Sequence, residues 1–248
     1  MLHDREIPVT RFSNKPLYLQ LRDALVERIA GGDWKPNTAI PNESDLAREF
    51  GVSAGTMRKA LDMMEAERLL TRRQGRGTFV NDQSSDELAA RFCNIRGADG
   101  KRANGQIKSA EIAEVEANAE ERDRLQLDAS ERVFRIQRIR HQNGRVFLIE
   151  NVTLPARLFP DLAADGRKSA VADRVIALAQ GYGILLGKAE ERVSAIAASP
   201  EIAQKLGIAA GTPVMVLDRI VRDLDGRPIE WRIGWCHLAD KYYMAEMV

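Results

Sequence analysis

The chain predicts an α+β fold in two parts: a small helical domain closed by a β-hairpin, then a larger domain built on an antiparallel sheet. Three observations carry this. Residues 42–80, NESDLAREFGVSAGTMRKALDMMEAERLLTRRQGRGTFV, read as a short helix, a tight turn, a longer helix and a basic hairpin. A polar stretch without pattern, NDQSSDE, follows from Asn81. Beyond it a unit repeats, because EVEANAEERDRLQLDASERVFRIQRIRHQNGR from Glu114 aligns with AIAASPEIAQKLGIAAGTPVMVLDRIVRDLDGR from Ala195. At 248 residues the chain has room for two cores. The expected division is a first domain at 1–80, a linker at 81–90 and a second domain at 91–248.

In the first domain, residues 1–14 read as a polar arm. Leu17, Leu21, Leu25 and Ile29, with Tyr18, recur at helical spacing, and Gly31-Gly32 stops that helix. Pro36 and Pro41 bracket an extended connection. Asn42 or Ser44 can cap the next helix, with Glu43 and Asp45 at its positive end. Leu46, Ala47 and Phe50 form its apolar face, and Gly51 ends it in the left-handed conformation. Ser53 caps the following helix, whose buried side is Met57, Leu61 and Met64. Its outward side carries Thr56, Arg58 and Lys59 near the N-terminal end, where a recognition helix presents groups to base edges and phosphates. Leu70–Arg73 and Thr78–Val80 then form two short strands around a Gln74-Gly75-Arg76-Gly77 tip. The glycines permit a narrow turn, and the arginines suit phosphates. Ser53, Thr56, Arg58, Lys59, Arg73, Gln74, Gly75 and Arg76 are therefore the expected DNA-binding residues.

In the second domain each repeat reads strand, short helix, strand, tight turn, strand. Asn118 and Ser199 cap the two helices, and Asn143-Gly144 and Asp225-Gly226 make the hairpin turns. Between the repeats, a helix is expected from a cap at Ser169 to Gly181. On the strand at 133–141, Phe134, Ile136, Arg138 and Arg140 share one face. Two arginines continuing an apolar face call for negative partners. Either an anionic ligand or internal pairing with Glu150 and Glu230 supplies them. Arg138 matches Arg219 in the repeat, whereas Arg140 matches Val221, so the symmetry breaks at Arg140.

Residues 16–80 closely resemble the winged helix of GntR-type bacterial transcription regulators. PLYLQLRDALVERIAGGDW, IPNESDLAREFGVS, TMRKAL and RRQGRGTFV carry the resemblance in order. The chain departs from the usual pattern at Asn37, a swap that asparagine's access to positive φ makes tolerable, and at Ser44, Ala54 and Gly55, where the absence of arginine at Ser44 and Ala54 implies a different base readout. The second half resembles the UTRA effector-binding domain of the HutC subgroup, similar in fold to chorismate lyase. LPARLFPDL, GILLGKAEERVSAIAASPEIAQKLGIAAGTPV and DLDGRPIEWRIGWC carry that likeness. The resemblance implies a homodimeric repressor on a palindromic operator in double-stranded DNA, controlled by a small anionic metabolite. It places a phosphate on Arg138, Arg140 and Ser169, and sugar hydroxyls on Glu150 and Glu230. The aromatic hydroxyl common near Cys236 is missing, although Trp235 is adjacent, so an organic acid stands beside a sugar phosphate as the expected effector.

Composition narrows the alternatives. The net charge of +1 leaves no overall basic field, so attraction to DNA must come from the local arginine patch. Two cysteines make no disulfide framework, and no stretch has the length of a membrane span. The expectation is a cytoplasmic protein without a cofactor or metal. An enzyme reading finds no support in His3, His141 and His237, which lack metal spacing, or in Ser194 and Ser199, which sit in no nucleophile elbow. A regulator with an all-helical metal-binding domain disagrees with the Asn-Gly and Asp-Gly turns. A ligand-independent architectural DNA binder stays open.

Overall fold

The computed structural model describes residues 15–82, 92–103, 105–163 and 179–245, and the chain divides into two compact units, Met1–Asp82 and Gln83–Val248. The first unit holds α1 (Leu17–Ala30), α2 (Glu43–Glu49), α3 (Ala54–Ala66), β1 (Leu70–Arg73) and β2 (Gly77–Val80). An asparagine cap starts α2 and a serine cap starts α3. Asn42 Oδ1 accepts from Asp45 N at 2.9 Å, and Ser53 Oγ accepts from Thr56 N at 3.2 Å. Gly51, at φ +63°, turns the chain between α2 and α3. Asn37 also takes positive φ, at +63°, where its short polar side chain is tolerated.

Leu21, Leu25 and Ile29 of α1 and Met57, Leu61 and Met64 of α3 are buried, as are Leu46, Leu69, Leu70 and Val80. Truncating one such leucine to alanine typically costs about 2–5 kcal/mol. Arg22, also buried, ties α1 to the end of α3 through three hydrogen bonds to Glu67 at 2.7, 2.9 and 3.2 Å. The hairpin gains a third short rung, because Ile40 N donates to Thr78 O and Ala39 bridges Phe79.

The second unit is a six-stranded antiparallel sheet in the order β4-β5-β6-β9-β8-β7. Its strands are β4 (Gln106–Glu116), β5 (Arg132–Gln142), β6 (Arg145–Pro155), β7 (Leu186–Ala197), β8 (Pro213–Asp223) and β9 (Pro228–Cys236). Helix α4 (Ala119–Leu125) joins β4 to β5, and α5 (Pro200–Leu206) joins β7 to β8. The two repeats thus meet at the β6–β9 pair and are related by an approximate two-fold axis there. Each helix crosses to its sibling's half. Leu125 packs with Trp231 of β9, and Ala203 and Leu206 pack with Ile149 of β6. Asn118 caps α4 in a reciprocal capping box with Glu121.

Both helices lie on one face of the sheet, and the other face carries two separate apolar clusters. One contains Phe134, Ile136, Val152, Leu154 and Phe159, and the second contains Phe147, Leu148, Leu217 and Cys236. A short sheet of β3 (Ile95–Arg96) and β10 (Tyr242–Tyr243) ties the start of this domain to its end. The expected helix from Ser169 lies outside the described residues up to 178. At its end, Gly181 belongs to a 3-10 turn, Gln180–Tyr182, and the left-handed residue is Gly183 at φ +71°. The turn therefore closes two residues later than the glycine pattern suggests.

Candidate DNA-reading surface and anion cleft

On the first unit, the outward side of α3 and the hairpin tip carry exposed polar groups. Ser53 Oγ and Thr56 Oγ1 lie 2.9 Å apart at the N-terminus of α3. Arg58 is exposed and held by Glu43 of α2, with Nη2–Oε1 at 2.8 Å. That pair holds the Arg58 pKa above its usual value, with the hydrogen bond to Glu43 the main cause. Lys59 Nζ sits 3.8 Å from the centre of the Tyr18 ring, a cation–π contact that fixes its direction. At the hairpin, Arg73, Gln74, Gly75 and Arg76 are all exposed. Arg73 stacks over Phe79 at 4.6 Å, and the Arg76 N–H closes the turn onto Arg73 O at 2.9 Å.

Arg72 does something different. It reaches Asp62 at 2.5 Å and Glu65 at 2.8 Å on α3, and its backbone N–H also donates to Glu65. It fastens the hairpin to α3, and its charge is met there by the two carboxylates. The exposed cations therefore concentrate at the tip, Arg73 and Arg76, and at the start of α3.

On the second unit, a row of charges crosses the sheet face between the two apolar clusters. Register produces it. Arg138 lies opposite Glu150, Glu150 opposite Gly234, and Val152 opposite Arg232. Arg232 in turn lies opposite Arg219, which lies opposite Glu191. Arg140 and Glu230 stand one step along their own strands, on the same face. Glu150 is fully buried and takes Arg140 Nε at 2.5 Å on one oxygen and Arg232 Nη1 at 2.6 Å on the other. Burial by itself raises this carboxyl's pKa. The guanidinium groups of Arg140, Arg232 and Arg138 outweigh it and hold the group well below the usual carboxylate range.

Arg219 donates to Phe92 O at 2.5 Å and lies 3.5 Å from Glu230 and 3.9 Å from Glu191. Glu191 also accepts from Tyr243 Oη at 2.7 Å, and Tyr243 in turn accepts from Asn94 at 3.0 Å. Burial followed by the Glu191 contact pushes the Tyr243 phenol up. The row is thereby joined to both ends of the domain. Burial lowers the pKa values of Arg138 and Arg219, whereas three carboxylates raise that of Arg232 against its burial. The Nε groups of Arg219 and Arg232 are buried without a hydrogen-bond acceptor among the described residues.

Of the residues expected from sequence, Arg138, Arg140, Glu150 and Glu230 come together in this row. Ser169 lies outside the described residues. Trp235 does not join them. It packs near Ile149 and Val214 beneath α5, on the opposite face. Strand alternation separates neighbours, so Cys236, not Trp235, shares the face of the charged row. Cys236 is buried there, and burial pushes its thiol up to about 12. Arg219, Arg232, Glu191 and Tyr243 were not singled out as ligand residues from sequence. The repeat did mark Arg219, but only as a match to Arg138.

A helix-turn-helix with a basic hairpin, joined in one chain to an antiparallel-sheet domain that carries a row of charges, is the architecture of a DNA-binding transcription regulator. Residues 17–80 match the bacterial regulatory proteins of the gntR family, and residues 103–242 match the UTRA domain. The chain belongs to the gntR family of bacterial regulators, in the branch that carries a UTRA domain. It is 31% identical to the histidine utilization repressor of Pseudomonas putida, over 82% of this chain and 81% of that one. It is 27% identical to the mannosyl-D-glycerate transport/metabolism system repressor MngR of Escherichia coli K12, over 88% and 90%. Among solved structures, a ligand-binding domain from Bordetella bronchiseptica, assigned to a GntR-family transcriptional regulator, superposes with a TM-score of 0.53 at 27% identity. It covers 64% of this chain and 98% of its own. No helix of the described residues is long and apolar enough to cross a membrane.

Proposed function

We propose that the chain is a cytoplasmic, homodimeric transcriptional repressor whose hold on a palindromic operator is set by a small anionic metabolite. Residues 1–80 read DNA, residues 91–248 sense the metabolite, and 81–90 link them, a division supported by the break between the compact units at Asp82 and Gln83. The N-terminal end of α3 enters the major groove, with Ser53 and Thr56 on the backbone and Arg58 and Lys59 toward bases and phosphates. The Arg73–Arg76 tip follows the adjacent phosphates. Glu43 holds Arg58 in free protein, so DNA must displace a carboxylate. That disfavours duplexes that do not reward the exchange.

The observation that carries the sensing role is the row of arginines and glutamates across one face of the sheet. Arg138, Arg140, Arg219 and Arg232 gather around Glu150, Glu191 and Glu230 on one face of the sheet. Two buried guanidinium N–H groups there also lack acceptors. A carboxylate or phosphate supplies acceptors to such groups. Sugar phosphates and organic acids are the effector classes that fit, with Glu230 placed to accept from ligand hydroxyls. The effector binds the DNA-competent and DNA-incompetent arrangements unequally and so shifts their populations. No turnover is expected, and steady-state consumption of a bound ligand would contradict this reading.

Two substitutions in the full chain separate the functions. The duplex is one selected by the wild-type protein from a random pool, and binding is followed by fluorescence anisotropy. Arg58→Ala abolishes duplex binding and keeps the thermal shift produced by the best ligand from a screen of sugar phosphates, phosphonates and organic acids. Arg140→Ala keeps duplex binding and loses that thermal shift. Equal loss of both activities in either variant would contradict a two-site protein. If no anion stabilises the wild type or releases it from DNA, the ligand-independent architectural reading takes its place.

A further inference from the structure

The carboxylates around α2 and the outward side of α3 each have a partner. Asp45 takes Asn42 at 2.6 Å and Arg48 at 3.0 Å. Asp62 and Glu65 take Arg72 of the hairpin at 2.5 and 2.8 Å. Glu43, the first residue of α2, takes Arg58 of α3 fork on fork: Nη2 lies 2.8 Å from one oxygen and Nε 3.3 Å from the other. The Arg58 side chain keeps 65% of its surface in water and Glu43 26%, so this pair is open to a ligand.

Arg58 suits guanine, whose O6 and N7 accept two parallel bonds from a guanidinium. When it turns to that base, it leaves the Glu43 carboxylate behind. The nearby cations are engaged elsewhere. Arg72, within electrostatic reach of Glu43, is bound to Asp62 and Glu65, Arg48 to Asp45, and Lys59 lies over Tyr18. Ser44 beside Glu43, and Ala54 and Gly55 at the start of α3, carry no charge. A carboxylate left among phosphates opposes binding unless it gains a hydrogen bond, and an ionised carboxylate can only accept. In the major groove the base donors are cytosine N4–H2 and adenine N6–H2. Adenine sets its acceptor N7 beside the donor, where it repels a carboxylate, so cytosine is the base that fits.

We propose that Glu43 is itself a base-reading residue, accepting from N4–H2 of a cytosine in the base pair that Arg58 reads through its guanine, or in the adjoining pair. The proposal rests on the DNA-reading role above and adds a residue of α2 to it. The ion pair reads by exchange, each partner leaving the other for a base. A duplex that offers the guanine without the cytosine leaves the carboxylate unmet, so the two positions are recognised together. This ties the readout of α3 to α2, although the usual arginines are missing from Ser44 and Ala54.

The test selects duplexes from a random pool with the full-length wild type, Glu43→Gln and Glu43→Ala, and compares affinities by fluorescence anisotropy. The wild type enriches a cytosine in or next to the pair holding the guanine, and loss of that contact weakens binding about tenfold. Glutamine matches adenine N6 and N7, so Glu43→Gln enriches adenine at that position. Glu43→Ala enriches no base there. A residue that only orients Arg58 would weaken the guanine preference and leave the preferred base at the second position unchanged. A second measurement needs no variant and covers the case in which the substitutions prevent folding. The wild type binds about tenfold more weakly when 2-pyrimidinone, which is cytosine without its amino group, replaces the selected cytosine. The assignment is overturned if the wild type and Glu43→Gln enrich the same base at every position, or if no cytosine accompanies the guanine. It is overturned equally if the amino group can be removed without loss of affinity. In those cases a duplex has still been selected, and the regulator reading stands. A wild type that enriches no duplex at all overturns the regulator reading and this assignment with it.

Discussion

At the scale of residues, Glu150 is the hinge of the cleft's electrostatics. It is completely buried and shared by Arg140 and Arg232, so its charge is set by its partners and not by water. A buried ion pair is weak evidence of stability in itself, but removing one partner strands the others. Glu150→Gln is therefore expected to cost about 3–5 kcal/mol at neutral pH, measured by urea denaturation. The pH dependence has a definite sign. The folded-state pKa of Glu150 is depressed, so its contribution is complete above the ordinary value of 4.5 and is lost as pH falls toward the folded value. The gap between wild type and Glu150→Gln should be widest near neutrality and narrow steadily below about pH 4. A gap that does not change with pH would contradict this account.

Part of the cleft was legible in the sequence at this scale. Arg138 and Arg140 continue an apolar face in a strand, and that pattern alone demanded negative partners. Arg232 and Glu191 were not legible as members, because register between β6, β9, β8 and β7 decides what they face, and register is a long-range property. Trp235 was assigned from adjacency to Cys236, and adjacency along a strand means opposite faces.

At the scale of elements, local chemistry was the reliable guide. Asn42, Ser53, Asn118 and Ser199 each cap a helix as their positions suggest. Asn-Gly and Asp-Gly turns close the two hairpins of the repeat. The β3–β10 pairing escaped notice because strands of two residues have no periodicity to read. Arg72 counted as part of a basic patch, yet it bonds to α3, a contact that requires knowing how the hairpin folds back. The edge strand β7 depends on a glycine. A Cβ on Gly187 would lie 2.2 Å from Asp223 O and 2.7 Å from Asp223 C, both backbone atoms of β8. Gly187→Ala must push the start of β7 away from β8. It is expected to cost about 1–3 kcal/mol, as over-packing does, visible as a lower midpoint in urea. An unchanged midpoint would mean that the two strands are not held that closely.

At the scale of the whole molecule, the sequence is electrically balanced, with 37 basic and 36 acidic side chains, and its functions depend on where charge is local. The hairpin exposes Arg73 and Arg76 at its tip, and the second domain gathers arginines and glutamates in one row across its sheet. DNA binding by such a chain should weaken with salt according to the phosphates it meets, not according to net charge. Arg76→Ala is expected to reduce the slope of log affinity against log salt by about 1 and to weaken all duplexes alike. An unaltered slope would remove the tip from the interface. The second domain is a duplicated unit whose symmetry is broken in the charged row, where Arg140 matches Val221 of the other repeat.

The central claim is that DNA and a small anion bind different parts of one chain and oppose each other. Reciprocity tests it most directly. The anion giving the largest thermal shift is titrated calorimetrically into the free chain and into the chain saturated with its selected duplex. Duplex affinity is measured with and without saturating anion. The account predicts that the anion binds DNA-bound protein more weakly, by the same factor by which it weakens duplex binding. Anion affinity unchanged by bound duplex would contradict it.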